Sequence, residues 1–162
     1  MKKLFWFVPF IFLIVFFSAA KQEKEKLAVS HIVTGDIVNL SNGKTARLLC
    51  IDAPDITHRG KQPEPFANKA IAYMRKEFED KQITLGFDSQ QDDGIGRLLA
   101  YIYREGDGLF LNAELLKMGF AKVDTRFPCQ YLKEFQAFED EAKNKKLGIW
   151  GAEESNDKNQ TQ

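Results

Sequence analysis

Residues 37–51 read Ile37-Val38-Asn39-Leu40-Ser41-Asn42-Gly43-Lys44-Thr45-Ala46-Arg47-Leu48-Leu49-Cys50-Ile51, and this stretch decides the fold. Two β-prone runs, Ile37–Leu40 and Thr45–Ile51, flank Ser41-Asn42-Gly43, and Asn-Gly supplies the backbone freedom that a tight hairpin needs. Upstream, Leu27–Val33 is a third β-prone run, so the chain predicts an antiparallel meander. Downstream, a Pro-containing loop from Ala53 to Pro65 precedes apolar residues at Phe66, Ala70, Ile71, Met74 and Phe78. That spacing is one face of an amphipathic helix, and the stripe has to pack on a sheet.

Further along, Lys81–Phe87 and Arg97–Tyr103 read as strands on either side of a turn built from Asp92, Asp93, Gly94 and Gly96. Asn112 is placed to cap a short helix ending near Met118-Gly119, and Phe120–Val123 is extended after it. Leu132, Phe135, Phe138 and Ala142 mark a last helix running to Lys146, and Leu147-Gly148-Ile149-Trp150 closes the domain. Meander, inserted helix, hairpin and following helices predict an α+β fold, a five-stranded OB-type barrel with three packed helices.

At 162 residues and 44% hydrophobic content the chain suits one domain with a real core. That domain is expected over residues 27–151, with a charged spacer at 21–26 and a polar tail at 152–162. No internal repeat appears. Met1-Lys2-Lys3, the apolar run Leu4–Phe17 and Ser18-Ala19-Ala20 have the parts of a bacterial-type signal peptide, cleaved near Ala20. The alternative is an uncleaved membrane anchor over residues 4–20. No Cys lies in or just after the run, so a lipoprotein attachment site is excluded. The expected location is therefore secreted, periplasmic or cell-surface.

Formal net charge is zero, and the first twenty residues hold two lysines and no acid, which leaves a net −2 on the remainder. A general basic surface is excluded, so nucleic-acid chemistry has to rest on a local site. Cys50 and Cys129 can form one disulfide in an oxidising compartment, or stay as two buried thiols; spacing does not choose.

Three stretches carry chemistry: Val33-Thr34-Gly35-Asp36, Arg47 through Asp52-Ala53-Pro54-Asp55, and Asp93-Gly94-Ile95-Gly96-Arg97. They deliver carboxylates and two guanidinium groups from strand ends and turns. Carboxylate oxygens suit a hard divalent cation, a further carboxylate activates water, and arginine offers a planar fork that matches a phosphate. Those are the parts of a phosphodiester hydrolase.

With these motifs the sequence resembles the staphylococcal nuclease (thermonuclease) family over Val29 to Gly151. The resemblance rests on Gly35-Asp36, Arg47-Leu48-Leu49 leading into Asp52-Ala53-Pro54, and Gly96-Arg97 followed by Leu99-Ala100-Tyr101-Ile102-Tyr103. Gly119-Phe120-Ala121-Lys122-Val123 and Leu147-Gly148-Ile149-Trp150 complete it, in the same order and at the same intervals. The resemblance implies an OB barrel with packed helices that hydrolyses DNA and RNA with Ca²⁺; separately, a monomer is expected, and no stable protein partner is implied. It makes Asp36 and Asp52 the Ca²⁺ carboxylates, joined by the backbone carbonyl of Ala53, and makes Arg47 and Arg97 the phosphate clamp.

Departures from the family pattern lie at the water and substrate positions. Asp55 stands where the family usually has Glu, the residue that orients or deprotonates the attacking water, and is one methylene shorter. Ile95 replaces a Tyr often found before Gly-Arg, and Thr125 and Phe127 stand where nucleotide-contacting tyrosines occur. Hydroxyls are lost, although Phe127 can still stack on a base. An alternative function follows from these changes: a catalytically weakened OB module that binds single-stranded nucleic acid or a protein partner. A membrane-anchored interaction protein is a third.

Taken singly, the motifs have plainer readings. Gly35-Asp36, Asp52-Ala53-Pro54-Asp55 and Asp93-Gly94 are ordinary turn sequences. Arg47 and Asp52 can pair structurally, and Arg97 has the same alternative. His31 reads as structural, and His58, with Arg59 and Lys61, as part of a solvated loop; neither histidine belongs to a zinc cluster.

Overall fold

The computed structural model describes residues 26–56 and 64–151. The leader and anchor readings, most of the spacer, the tail and the loop residues His58, Arg59 and Lys61 lie outside the described residues. Among the described residues no helix is long and apolar enough to cross a membrane.

The meander forms as expected: β1 (Val29–Ile32), β2 (Ile37–Leu40) and β3 (Thr45–Leu48) pair antiparallel, with Ile37 opposite Arg47 and Asn39 opposite Thr45. The third predicted strand, however, is broken in two. Cys50 takes a left-handed conformation with φ 66°, which ends β3 at Leu48 and lets β4 (Ile51–Asp52) leave in a new direction. There β4 pairs with β7 (Lys122–Val123), setting Asp52 opposite Lys122.

The hairpin of β5 (Ile83–Gly86) and β6 (Leu98–Arg104) joins the meander because β6 runs parallel to β3, Ala46 beside Leu98 and Leu48 beside Ala100. The sheet order is β1-β2-β3-β6-β5. Its two edges are linked by isolated bridges, with Val29 N–H donating to Lys81 O at 3.2 Å and Ile83 N–H donating to Leu27 O at 2.8 Å. No continuous ladder pairs β1 with β5, so the sheet is not closed by strand pairing. The fold is a mixed α+β structure with a five-stranded sheet.

Helix α1 (Ala67–Phe78) packs on β1 and buries Ala70, Ile71, Met74 and Phe78 of the expected stripe together with Ala67, whereas Phe66, expected to begin the stripe, precedes the helix in a left-handed conformation with φ 68°. Helices α2 (Leu111–Lys117) and α3 (Leu132–Asn144) pack on each other, with α2 against β6. Asn112 corrects the expectation of a cap, because it lies inside α2 and is fully buried. Its amide donates to Leu49 O at 2.9 Å and Ala100 O at 3.3 Å and accepts from Ile102 N–H at 3.1 Å. A buried amide with three backbone bonds fastens β6 to the strand break, since unpaired polar groups there would be costly.

Cys50 and Cys129, left open by the sequence, form a disulfide with 5.8 Å between their Cα atoms. It ties the break before β4 to the segment after β7, across 79 residues of chain. Replacing both cysteines by serine should lower unfolding stability by about 2–4 kcal/mol, through the freedom returned to the unfolded chain. Urea titrations of the two proteins check this; coincident midpoints would show that the bridge contributes nothing.

Candidate active site

The turn between β1 and β2 carries Thr34, Gly35 and Asp36, and all three are buried. A Cβ at Gly35 would lie 2.7 Å from the Ala53 Cβ, so only glycine lets this turn press against the turn that follows β4. That close approach places Asp36 beside Asp52 and Ala53. The Thr34 hydroxyl donates to Asp36 Oδ1 at 2.8 Å and leaves Oδ2 to face Arg47.

Arg47 projects from β3 into the gap, where its side chain is only 11% exposed. A single nitrogen, Nη2, lies 3.1 Å from Asp36 Oδ2, 3.1 Å from Asp52 Oδ1 and 3.7 Å from Asp124 Oδ2. Its Nε and Nη1 donors find no acceptor among the described residues, and neither is sealed from solvent. The guanidinium is thus anchored by one corner with its remaining donors open.

Two residues that the sequence reading missed complete this network. Asp124 follows β7 and is buried; its N–H donates to Cys50 O at 2.9 Å. Its carboxylate receives Arg126 Nε at 2.9 Å on both oxygens and the Arg126 backbone N–H at 3.0 Å. Arg126 Nη2 also reaches Asp52 Oδ1 at 3.0 Å. The available signal was an acid and an arginine two residues apart, interleaved with Thr125 and Phe127. Nothing in local sequence says that this segment returns to Asp52.

The charges shift one another. Burial pushes the Asp36 carboxyl above its ordinary range, Arg47, the Thr34 hydroxyl and Arg97 oppose the rise, and Asp52 adds to it. Added positive charge near Asp36 is therefore stabilising. Burial also works to raise Asp124, but hydrogen bonds from Arg126 and the field of Arg47 outweigh it and hold the carboxyl below the usual range.

Arg97 begins the run into β6, and its Nε is held by the Asp93 carboxylate across the β5–β6 turn. It is close enough to act on Asp36 electrostatically. Ile95, two residues before it, is 76% exposed on the same turn. Thr125 is exposed and Phe127 half-buried, flanking Arg126. Asp55 lies three residues beyond Asp52; its backbone N–H donates to Glu64 Oε2 at 3.1 Å and its carbonyl accepts from Glu64 N–H at 3.0 Å. These bonds hold Asp55 and Glu64 side by side. His31 sits apart, 3.3 Å from Glu79.

Oxygen donors dominate the site. Among the described residues no group of three or more carboxylate, imidazole or thiolate ligands is gathered to hold a metal ion. A cation between Asp36 and Asp52 would take the rest of its shell from carbonyl, water and phosphate oxygens, a set that fits a hard ion such as Ca²⁺.

The chain belongs to the staphylococcal nuclease homologue family, whose profile matches residues 45–152. It is 32% identical over 135 residues to the SPbeta prophage-derived endonuclease YokF of Bacillus subtilis (strain 168), covering 80% of this chain and 45% of that protein. It is 32% identical over 139 residues to the endonuclease YncB of the same strain, covering 81% and 65%. A thermonuclease of Staphylococcus intermedius is 27% identical over 130 residues, covering 78% and 76%. The chain thus spans less than two thirds of the length of either Bacillus endonuclease.

The network predicts a stability effect. Asp124→Ala should cost about 3 kcal/mol, because it removes the carboxylate that pairs Arg126 and helps neutralise the nearly buried Arg47. Since that carboxyl is held below its ordinary range, its ionic contribution is complete above about pH 4 and is lost as the pH falls through the lowered value. Urea denaturation at pH 7 and pH 3 checks this: the gap between wild type and variant should narrow at the lower pH.

Proposed function

We propose that this chain is an exported, Ca²⁺-dependent nuclease that hydrolyses phosphodiester bonds in DNA and RNA with broad sequence tolerance. The observation that carries the reading is Arg47, anchored by one corner on Asp36 and Asp52 with its other donors open. In this reading Asp36, Asp52 and the Ala53 carbonyl hold the cation. When bound, Ca²⁺ supplies charge neutralisation at the phosphate and makes a coordinated water easier to deprotonate.

The chain's own residues do the rest. Arg47 and Arg97 take the scissile phosphate, and guanidinium donors gain more as negative charge builds on the phosphoryl oxygens. Asp93 fixes the direction of Arg97, as the buried carboxylates fix Arg47. Asp55 takes the proton of the attacking water. Thr125, Phe127 and Ile95 line the substrate side, with Phe127 offering a ring face to a base. The edge bridges near Val29 and Gln82 support reading the sheet as an OB barrel, with residues 27–151 as the domain. Export rests on the first twenty residues, with cleavage near Ala20.

A second reading has one observation in its favour. The Asp52 carboxylate is engaged by both Arg47 and Arg126, and this suits a catalytically weakened module that binds single-stranded nucleic acid.

The purified protein should cleave single-stranded DNA with Ca²⁺ and lose that activity in chelator. Unchanged cleavage in chelator, or none with millimolar-range Ca²⁺ on either DNA or RNA, would sink the enzyme reading. Arg47→Lys and Arg97→Lys should each slow turnover on the order of 10²-fold while the fold persists, because lysine keeps the charge without the fork. Steady-state kinetics beside thermal melts separates the two effects.

Asp55→Ala should slow turnover strongly, and Asp55→Glu should preserve or raise it. Restoring the methylene extends the carboxylate toward the water, and ~1 Å of misplacement costs ~10²-fold. If Asp55→Ala keeps the wild-type rate, Asp55 is not the base. Glu64, bonded to the Asp55 backbone, then becomes the residue to replace.

A further inference from the structure

Arg126 differs from the other arginines of the site in what it leaves open. Arg47 is 11% exposed, whereas the Arg126 side chain is 59% exposed. Its guanidinium is nevertheless oriented, because Nε bonds both oxygens of buried Asp124 and Nη2 bonds Asp124 and Asp52. Among the described residues nothing accepts from Nη1, so both of its N–H groups remain available.

We propose that Arg126 is a third phosphate-binding arginine, contacting a backbone phosphate of single-stranded nucleic acid next to the one held by Arg47 and Arg97. The proposal rests on the nuclease reading and deepens it. An arginine held along one edge presents a planar pair of donors with little rotamer freedom left to lose, the arrangement that favours phosphate oxygens. Thr125 beside it is exposed and Phe127 half-buried, and the Phe127 ring offers a stacking face to a base next to the phosphate.

A purely structural role makes a different prediction. If Arg126 only neutralises Asp124 and Asp52, its loss changes stability or turnover but leaves the number of phosphates neutralised on binding unchanged. Counterion release counts those phosphates: for single strands, the slope of log K against log salt changes by about 0.7 for each one.

The test measures binding of a fluorescein-labelled oligothymidylate by anisotropy, in chelator, over a range of salt. The proteins are wild type, Arg126→Gln and Arg126→Lys, with thermal melts alongside. The expected result is a slope flatter by about 0.7 for Arg126→Gln, with Arg126→Lys keeping the wild-type slope. An unchanged slope for Arg126→Gln overturns the proposal, whatever happens to turnover. So does a wild type that cleaves with Ca²⁺ but does not bind in chelator, because Asp124 already holds Arg126 in place without metal. A wild type that neither binds nor cleaves removes the nuclease reading itself, and this proposal falls with it.

Discussion

One nitrogen of Arg47 gathers carboxylates from three separate parts of the chain: Asp36 before β2, Asp52 in β4 and Asp124 after β7. A guanidinium this little exposed cannot stand unpaired, and three carboxylates this close cannot stand without it. The fold around the site is arranged to satisfy both conditions. Gly35 allows the first turn to approach Ala53, the break at Cys50 redirects the chain so that exposed Asp52 reaches Arg47, and the β4–β7 pairing brings Asp124 within reach. The result is a charge network whose corners come from separate segments of the chain, with Asp36, Arg47 and Asp124 little exposed and Asp52 and Arg126 at the surface.

The backbone around Cys50 is held from four sides. Leu49 N–H donates to Ala100 O, the Asn112 amide donates to Leu49 O, Asp124 N–H donates to Cys50 O, and the disulfide reaches Cys129. A non-glycine residue with positive φ is unfavourable by itself, and this density of contacts is what keeps it there. The same fastening gives the site rigidity where positioning matters most, since a reacting group displaced by about 1 Å loses much of its effect. The outer rim is looser in design. Arg126, Thr125 and Ile95 are exposed.

Much of the framework was legible in order. The Asn-Gly hairpin, the apolar stripe of α1 and the turn at Asp93-Gly94 all stand where local pattern puts them, because turn chemistry and amphipathic spacing are short-range constraints. The reading failed where a tertiary contact overrode a local one. Asn112 has the residue type of a helix cap but is drawn into the core by three backbone partners. Thr45–Ile51 has the pattern of one strand and is two, because the left-handed turn at Cys50 is held by partners far away in sequence. Of the charges in this network, Asp36, Arg47 and Asp52 sit in stretches with a recognisable local pattern, whereas Asp124 and Arg126 carry no motif.

The sequence by itself determined which residue types the site has at its disposal, which elements carry them and the family to which the chain belongs, since all three are written in local spacing. Only the tertiary structure decided which charges meet. The parallel pairing of β3 with β6, the pairing of β4 with β7 and the Cys50–Cys129 bridge are contacts between segments tens of residues apart. They depend on how a whole core packs, so Asp52 acquires Arg126 as a neighbour across 74 residues. Periodicity describes one face of one element; it cannot state which other face will cover it.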